Sequence, residues 1–286
     1  MGTERQPPAR RSQLALLRAH GIRPVKRRGQ NFLVDGNLAR AIAQDVRGLG
    51  DRVLELGAGG GALTAPLLDG GAAVTAVEVD RGLSALLAAE FADDAGYRLL
   101  EADLAKLDWA TVLGAAGPRP VVAGNLPYVL TSTVLFALAE HHREVAGGVF
   151  MVQREVAERI VASPGGRDYG VLAVVLGAVF APAIVRTVPA SVFWPQPEVE
   201  SAVVRLEPRP AWSRAEFTDF VATVKTLFAQ RRKKLRTQLR KHHQLDAAAA
   251  AAVAAAAGVD PDRRPEQLTR EEFRRLTAAL GERAAR

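Results

Sequence analysis

Residues 52–64 read RVLELGAGGGALT, a short apolar run that turns at Gly57, Gly59 and Gly61. At the carboxyl end of a strand, glycines let the backbone come close to a ligand where any side chain would block it. Four further β-rich runs follow: AAVTAVEVD (72–80), YRLLEAD (97–103), RPVVAGNLPY (119–128) and GGVFMVQ (147–153). Helix-like segments separate them, among them TAPLLDGG, RGLSALLAAEFADDAG and TSTVLFALAEHHREV. Strands alternating with helices predict an α/β fold with a parallel, doubly wound, Rossmann-like sheet. Such strands are covered on both faces, which accounts for their nearly unbroken hydrophobicity.

The strand ends carry the chemistry. Glu78 closes the second run about twenty residues beyond Gly57, where a carboxylate can take both hydroxyls of a ribose. Asp103 closes the third, where it can accept from an adenine amino group. Each acid alone also fits a strand-terminal cap. Together they suit an adenosine-containing ligand, either a nicotinamide dinucleotide or S-adenosyl-L-methionine.

GNLPY (124–128) separates these two. Hydride transfer has no use for it, whereas methyl transfer to the amine of a nucleobase does. That amine is a poor nucleophile because its lone pair is delocalised into the ring. Two acceptors pulling on its hydrogens localise the pair, and the Asn125 carboxamide oxygen and the Leu126 carbonyl can supply them. Pro127 fixes its own φ and restricts Leu126, so the carbonyl is held in place. Tyr128 offers a ring on which an extruded base can stack, for about 1–3 kcal/mol. Positioning then supplies most of the catalysis and no general base is needed.

PAIVRTVP (182–189) and SAVVRLEP (201–208) read as strands suited to an antiparallel edge pair. Composition then shifts at PRPAW (208–212), and the remainder reads helical. Capping boxes stand at Ser213/Glu216 and Thr269/Glu272, and an alanine tract runs over 247–257 to Gly258. FTDFVATVKTLFAQRRKKLRTQLRK is expected to be helical. The expected divisions are a basic N-terminal segment (1–22), a catalytic domain (23–210) and a helical domain (211–286).

Of 286 residues, 48% are hydrophobic and 24% charged, which excludes global disorder. The absence of cysteine excludes disulfides and thiolate metal sites, and no metal is expected. The start of the chain does not read as a signal peptide. The longest apolar stretch, YGVLAVVLGAVFAPAIV (169–185), is broken by Gly177 and Pro182 and predicts a buried helix followed by a strand. No membrane contact is expected, and a cytoplasmic location is. Net charge is +7, but eight basic residues lie in 1–30 against one acid, and eight in 225–243 against none. Two such runs on an otherwise acidic body point to a polyanion, although a solvated helix face and a basic tail would read alike.

The chain resembles the ribosomal RNA adenine N6-dimethyltransferase family, most closely its small-subunit (16S) branch. RRGQNFLVD (27–35), LELGAGGGALT, VEVD, EAD and NLPY are similar to the family's motifs in order and spacing. So are VQREVAERIVASPGGRDYGVLAV (152–174), VPASVFWPQPEVESAVVRL (188–206) and LFAQRRKKLRTQL (227–239). The resemblance implies S-adenosyl-L-methionine as cofactor, contacted by Asn31, Leu33, Gly57, Gly59, Glu78, Asp103 and Asn125. It implies Asn125, Leu126, Pro127 and Tyr128 at the reacting centre, with Phe193 as the second face of a base sandwich. By position alone Phe193 fits an ordinary core aromatic equally well.

Two adjacent adenines near the small-subunit 3′ end, each methylated twice in a partly assembled subunit, are the implied substrate, and the chain is expected to act as a monomer. Arg231, Arg232, Lys233, Lys234 and Arg236 are expected to meet RNA, along with Arg240, Lys241 and the basic residues around 23–28. Val129 to Thr133 depart from the family's usual Asn-Ile-Ser-Thr-Pro, and Glu198 stands where a basic residue is common. A large-subunit rRNA methyltransferase, an assembly factor with secondary catalysis and a nicotinamide oxidoreductase are the alternatives.

Overall fold

The computed structural model describes residues 12–24, 30–210, 212–242 and 244–284. Residues 1–11 of the basic N-terminal segment, and Lys26, Arg27 and Arg28 after it, lie outside the described residues. A helix that the sequence reading did not anticipate, α1 (Gln13–Ala19), begins the described chain, with Ser12 as its N-cap. The two-residue strand β1 (Phe32–Leu33) and helix α2 (Gly36–Arg47) follow, the latter capped by Asp35.

The parallel sheet then builds in the expected order: β2 (Arg52–Leu56), α3 (Thr64–Asp69), β3 (Ala73–Glu78), α4 (Arg81–Phe91), β4 (Tyr97–Glu101), α5 (Trp109–Ala116), β5 (Val121–Asn125), α6 (Thr131–Glu140) and β6 (Gly147–Gln153). Helices α7 (Arg154–Val161) and α8 (Val171–Val179) precede β7 (Phe180–Val188), the short β8 (Phe193–Trp194) and β9 (Ser201–Pro208). The apolar stretch at 169–185 is thus a helix running into a strand, as its broken pattern implies.

Seven strands form one sheet in the order β4-β3-β2-β5-β6-β9-β7, and β1 pairs with β8 separately. β2 lies parallel to both β3 and β5. Strand order reverses between β2 and β5, so two successive crossovers leave in opposite directions and open a crevice at the strands' carboxyl ends. The glycine turn follows β2 and Asn125 ends β5, so both face that crevice. Val53, Leu54, Leu56, Val121, Val122 and Ala123 are all fully buried, which makes this strand pair the centre of the core.

The chain divides into two compact units: 1–131, 144–153 and 185–204 form the first, and 132–143, 154–184 and 205–286 the second. The expected single division at 210 is not the one observed, because α7 and α8 belong to the second unit. There α8, apolar all round, packs on α9 (Arg214–Phe228) and α12 (Arg270–Ala284). Helices α10 (Leu235–His242) and α11 (Ala247–Ala256) complete that unit.

Both capping boxes form: Ser213 and Glu216 exchange hydrogen bonds, as do Thr269 and Glu272. The alanine tract is a helix that buries Ala249, Ala250, Val253 and Ala254. The helix expected through 217–241 is interrupted between Phe228 and Leu235. Four hydrogen bonds explain the break. Gln238 donates to the carbonyls of Gln230 and Lys233, the Leu235 amide donates to Arg263 O, and the Arg236 amide donates to Pro261 O.

Candidate active site

A cavity of about 350 Å³ opens at the crevice. Its wall is made by Asn31–Leu33, the glycine turn, Glu78, Asp103 and the segment 124–130. The structure therefore brings together every residue expected at the cofactor and reacting centre except Phe193.

The glycine turn is shaped for backbone approach. Gly57 and Gly59 have φ of +72° and +59°, a region that favours glycine. The turn also fixes Glu78, which is buried yet takes three amide hydrogens: from Gly59 at 2.8 Å on one oxygen, and from Val79 and Asp80 at 2.9 Å on the other. Three aimed dipoles hold the carboxylate in one orientation; Oε1 already takes two of the amides, and Oε2, which takes one, keeps lone-pair capacity for a hydroxyl. Asp103 accepts from the Ala105 amide at 2.9 Å and so caps a short 3-10 turn while lining the cavity.

At the other end of the cavity, Asn125 Nδ2 donates to the carbonyl of Asn31 at 2.9 Å. That bond uses the donor side of the carboxamide, and the acceptor oxygen is the side left for a ligand. Leu126 is buried and its amide donates to Met151 O, while the Pro127 carbonyl accepts from Leu130 N at 2.9 Å. The turn is thus tied down on both sides of the Leu126 carbonyl. Tyr128 has its phenol oxygen 3.0 Å from the Ser201 hydroxyl. Val129 stands 82% exposed on the cavity wall.

Phe193 lies elsewhere. It is 4% exposed, sits in register with Leu33, packs in the core with Leu33 and Met151, and is not part of the cavity wall. The core position is the one observed. Its neighbour Trp194 stacks on Phe32 with ring centroids 6.3 Å apart.

Three contributors were not singled out from sequence. Gly124 is required because a Cβ there would run into the Leu56 carbonyl, so β2 and β5 could not close beneath the site. A glycine inside an apolar strand is the signal that marks such close approach. Ser201 steadies Tyr128 from β9, and nothing local in the sequence points to it. Glu55, an acid in an otherwise apolar strand, is 2% exposed, lines the cavity and accepts from Thr64 Oγ1 at 2.6 Å. Burial raises its pKa to about 8, opposed by the Thr64 hydrogen bond and reinforced by the nearby Glu78.

The basic segment lies in the second unit. Arg231 pairs with Glu266 at 2.8 Å and donates to the Arg167 carbonyl, and Lys234 and Arg236 both pair with Asp262. Arg232 and Lys233 are exposed, with no ion pair among the described residues.

Residues 23–280 match the profile of the ribosomal RNA adenine dimethylase family. The chain belongs to that family. Among dimethylase relatives, the ribosomal RNA small subunit methyltransferase A of Anaeromyxobacter sp. (strain K) is 45% identical over 284 residues, covering 94% of this chain and 98% of that protein. The protein of the same name from Myxococcus xanthus (strain DK1622) is 44% identical over 271 residues, covering 93% and 94%. In three dimensions the chain is similar to the 23S rRNA methyltransferase ErmE, with TM-score 0.65, 24% identity and coverage of 88% of this chain and 100% of that one. It is also similar to a dimethyladenosine transferase from Plasmodium falciparum, with TM-score 0.68, 21% identity and coverage of 85% and 96%. At these identities the structural likeness speaks for the fold, and the family assignment rests on the sequence matches.

Proposed function

We propose that this protein dimethylates the exocyclic amine of adenines in small-subunit ribosomal RNA, with S-adenosyl-L-methionine as methyl donor. The observation that carries the reading is the Asn125–Leu126 turn, which offers two fixed acceptor oxygens on the wall of a cavity suited to an adenosine-containing cofactor. The residues present fit that cofactor. Glu78 is held by three amides with acceptor capacity remaining on Oε2 for a ribose hydroxyl, and the glycine turn leaves room for close backbone approach. Asp103 is placed to accept from the adenine amine. Asn31 and Leu33 close the cavity from the N-terminal side, with Gly57, Gly59 and Asn125 as the remaining cofactor contacts.

When bound, the cofactor supplies a methyl group on a cationic sulfur. The protein's own part is to prepare the acceptor. Asn125 Oδ1 and the Leu126 carbonyl each take one hydrogen of the amine, which draws the nitrogen out of conjugation. Pro127 keeps the carbonyl in place, and Tyr128 stacks on a base swung out of its helix. The methylated nitrogen then loses its proton to water, and the neutral monomethylamine can be gripped for a second round by one hydrogen. Much of the rate enhancement is orientation of this kind.

Recognition of the surrounding RNA rests on phosphates, shape and 2′-hydroxyls, because the A-form major groove is too narrow for side chains. Arg232 and Lys233, with Arg231, Lys234 and Arg236 beside them, provide charge for it. The protein works in the cytoplasm as a monomer on a partly assembled small subunit, on two adjacent adenines near the rRNA 3′ end. Mass spectrometry of rRNA fragments from cells with and without the gene tests this directly. Loss of N6,N6-dimethyladenosine from small-subunit rRNA alone is expected. Loss from large-subunit rRNA, or from neither, overturns the reading.

A further inference from the structure

One polar group on the cavity wall has no role in the mechanism so far. Helix α1 buries Leu16 and Leu17 in an apolar cluster with Phe32, Leu83 and Leu86, and so is fastened to both β1 and the start of α4. Gln13, three and four positions before these leucines, shares their face of the helix. It lies against the glycine turn: a Cβ on Gly60 would be 3.0 Å from Gln13 Nε2 and 3.0 Å from the Leu17 side chain. Gln13 also lines a second cavity of about 520 Å³. Its Oε1 is buried and has no hydrogen-bond partner. Buried carbonyl oxygens are nearly always satisfied, and an orphan on a residue that lines a ligand-sized cavity marks a place where a ligand's hydrogen can be accepted.

The position of that oxygen narrows the donor. Gly60 follows Gly59, whose amide fastens the Glu78 carboxylate, and Leu83, which packs with α1, also lines the cavity just beyond Glu78. Gln13 therefore approaches the end of the cavity where Glu78 takes a ribose. We propose that Gln13 is a further cofactor-binding residue whose Oε1 accepts a hydrogen from a ribose hydroxyl of S-adenosylmethionine. The inference rests on the proposed function. It adds a contact from a helix that precedes the residues matching the family profile, which begin at 23.

The test is calorimetric, on the full chain, with S-adenosylhomocysteine and its 2′-deoxy and 3′-deoxy forms as probes. Gln13→Met keeps the length of the side chain and its packing but removes the acceptor. The variant is expected to bind S-adenosylhomocysteine about tenfold more weakly, the loss of one hydrogen bond to a buried partner. One of the two deoxy probes, the one lacking the hydroxyl concerned, is expected to bind wild type and variant alike, because the two deletions remove the same bond. Unchanged affinity for S-adenosylhomocysteine overturns the proposal. So does an equal loss for all three probes, which would mean that Gln13 merely shapes the turn. If the wild-type chain binds none of the probes, the methyltransferase reading itself fails, a result distinct from either.

Discussion

Asn125 Nδ2 and the carbonyl of Asn31 are joined at 2.9 Å across 94 residues of sequence. The bond makes the N-terminal strand and the end of β5 one unit, and it decides which way the carboxamide faces. Replacing Asn125 by Asp removes the donor and sets a carboxylate against a carbonyl oxygen. Asn125→Asp is therefore expected to lose activity although it keeps acceptor oxygens. Its cofactor affinity, measured by calorimetry, should fall as well, since the wall at Asn31 is no longer held. A variant that binds cofactor and turns over normally would show the bond to be incidental.

Ser201 holds the Tyr128 phenol at 3.0 Å. Ser201→Ala removes one hydrogen bond, worth about 0.5–1.5 kcal/mol, and should lower kcat/KM for RNA by about 2- to 13-fold. Tyr128→Ala removes the proposed stacking face itself and should cost about 1–3 kcal/mol, or about 5- to 150-fold. Cofactor affinity should move little in either. A loss of cofactor binding that matched the loss of activity would place Tyr128 in the cofactor wall instead.

Glu55 predicts a pH dependence. Its carboxyl is pushed by burial from 4.5 to about 8 in the folded chain. Between those values the folded protein keeps a proton that the unfolded chain has released, so stability falls as pH rises through this window. The Tm of the ligand-free protein should therefore decline from pH 5 to pH 8.5 on this account, and Glu55→Gln should flatten that decline. A slope unaltered by the substitution would mean that the carboxyl is ionised in the fold.

The parts that were legible in the sequence are those whose signal is local. The strand–glycine–helix pattern at 52–64 and the acids closing β3 and β4 place the sheet and its ligand edge, because period and turn chemistry act over a few residues. The capping boxes at Ser213 and Thr269 were readable for the same reason. Less was legible where distant segments decide. The break between Phe228 and Leu235 depends on Gln238, Arg263 and Pro261, and a helical pattern through 217–241 carries no trace of those contacts. Phe193 is drawn into the core by its pairing with Leu33, and Ser201 reaches Tyr128 from a strand 73 residues away. The division of the chain follows the packing of α8 on α9 and α12, whereas composition alone suggested a cut at 210.

The basic segment divides into two kinds of residue. Arg231 bridges Glu266 and the Arg167 carbonyl, so Arg231→Ala should lower Tm. Arg232 and Lys233 make no such ion pair among the described residues, so Arg232→Ala/Lys233→Ala should leave Tm within about a degree or two while weakening RNA binding. The slope of log affinity against log salt should flatten by up to about one for each phosphate that is no longer neutralised. Filter binding across a salt series measures it. An unchanged slope would remove these two residues from the RNA surface.

The central claim is that the Asn125 oxygen and the Leu126 carbonyl grip the adenine amine. It is tested most directly by single-turnover methylation of small-subunit particles by Asn125→Ala at saturating cofactor, with N6-methylated adenosine counted by mass spectrometry. The rate constant is expected to fall at least about a hundredfold, the scale of removing one fixed polar group from a reacting centre. Wild-type rates under those conditions would contradict the account.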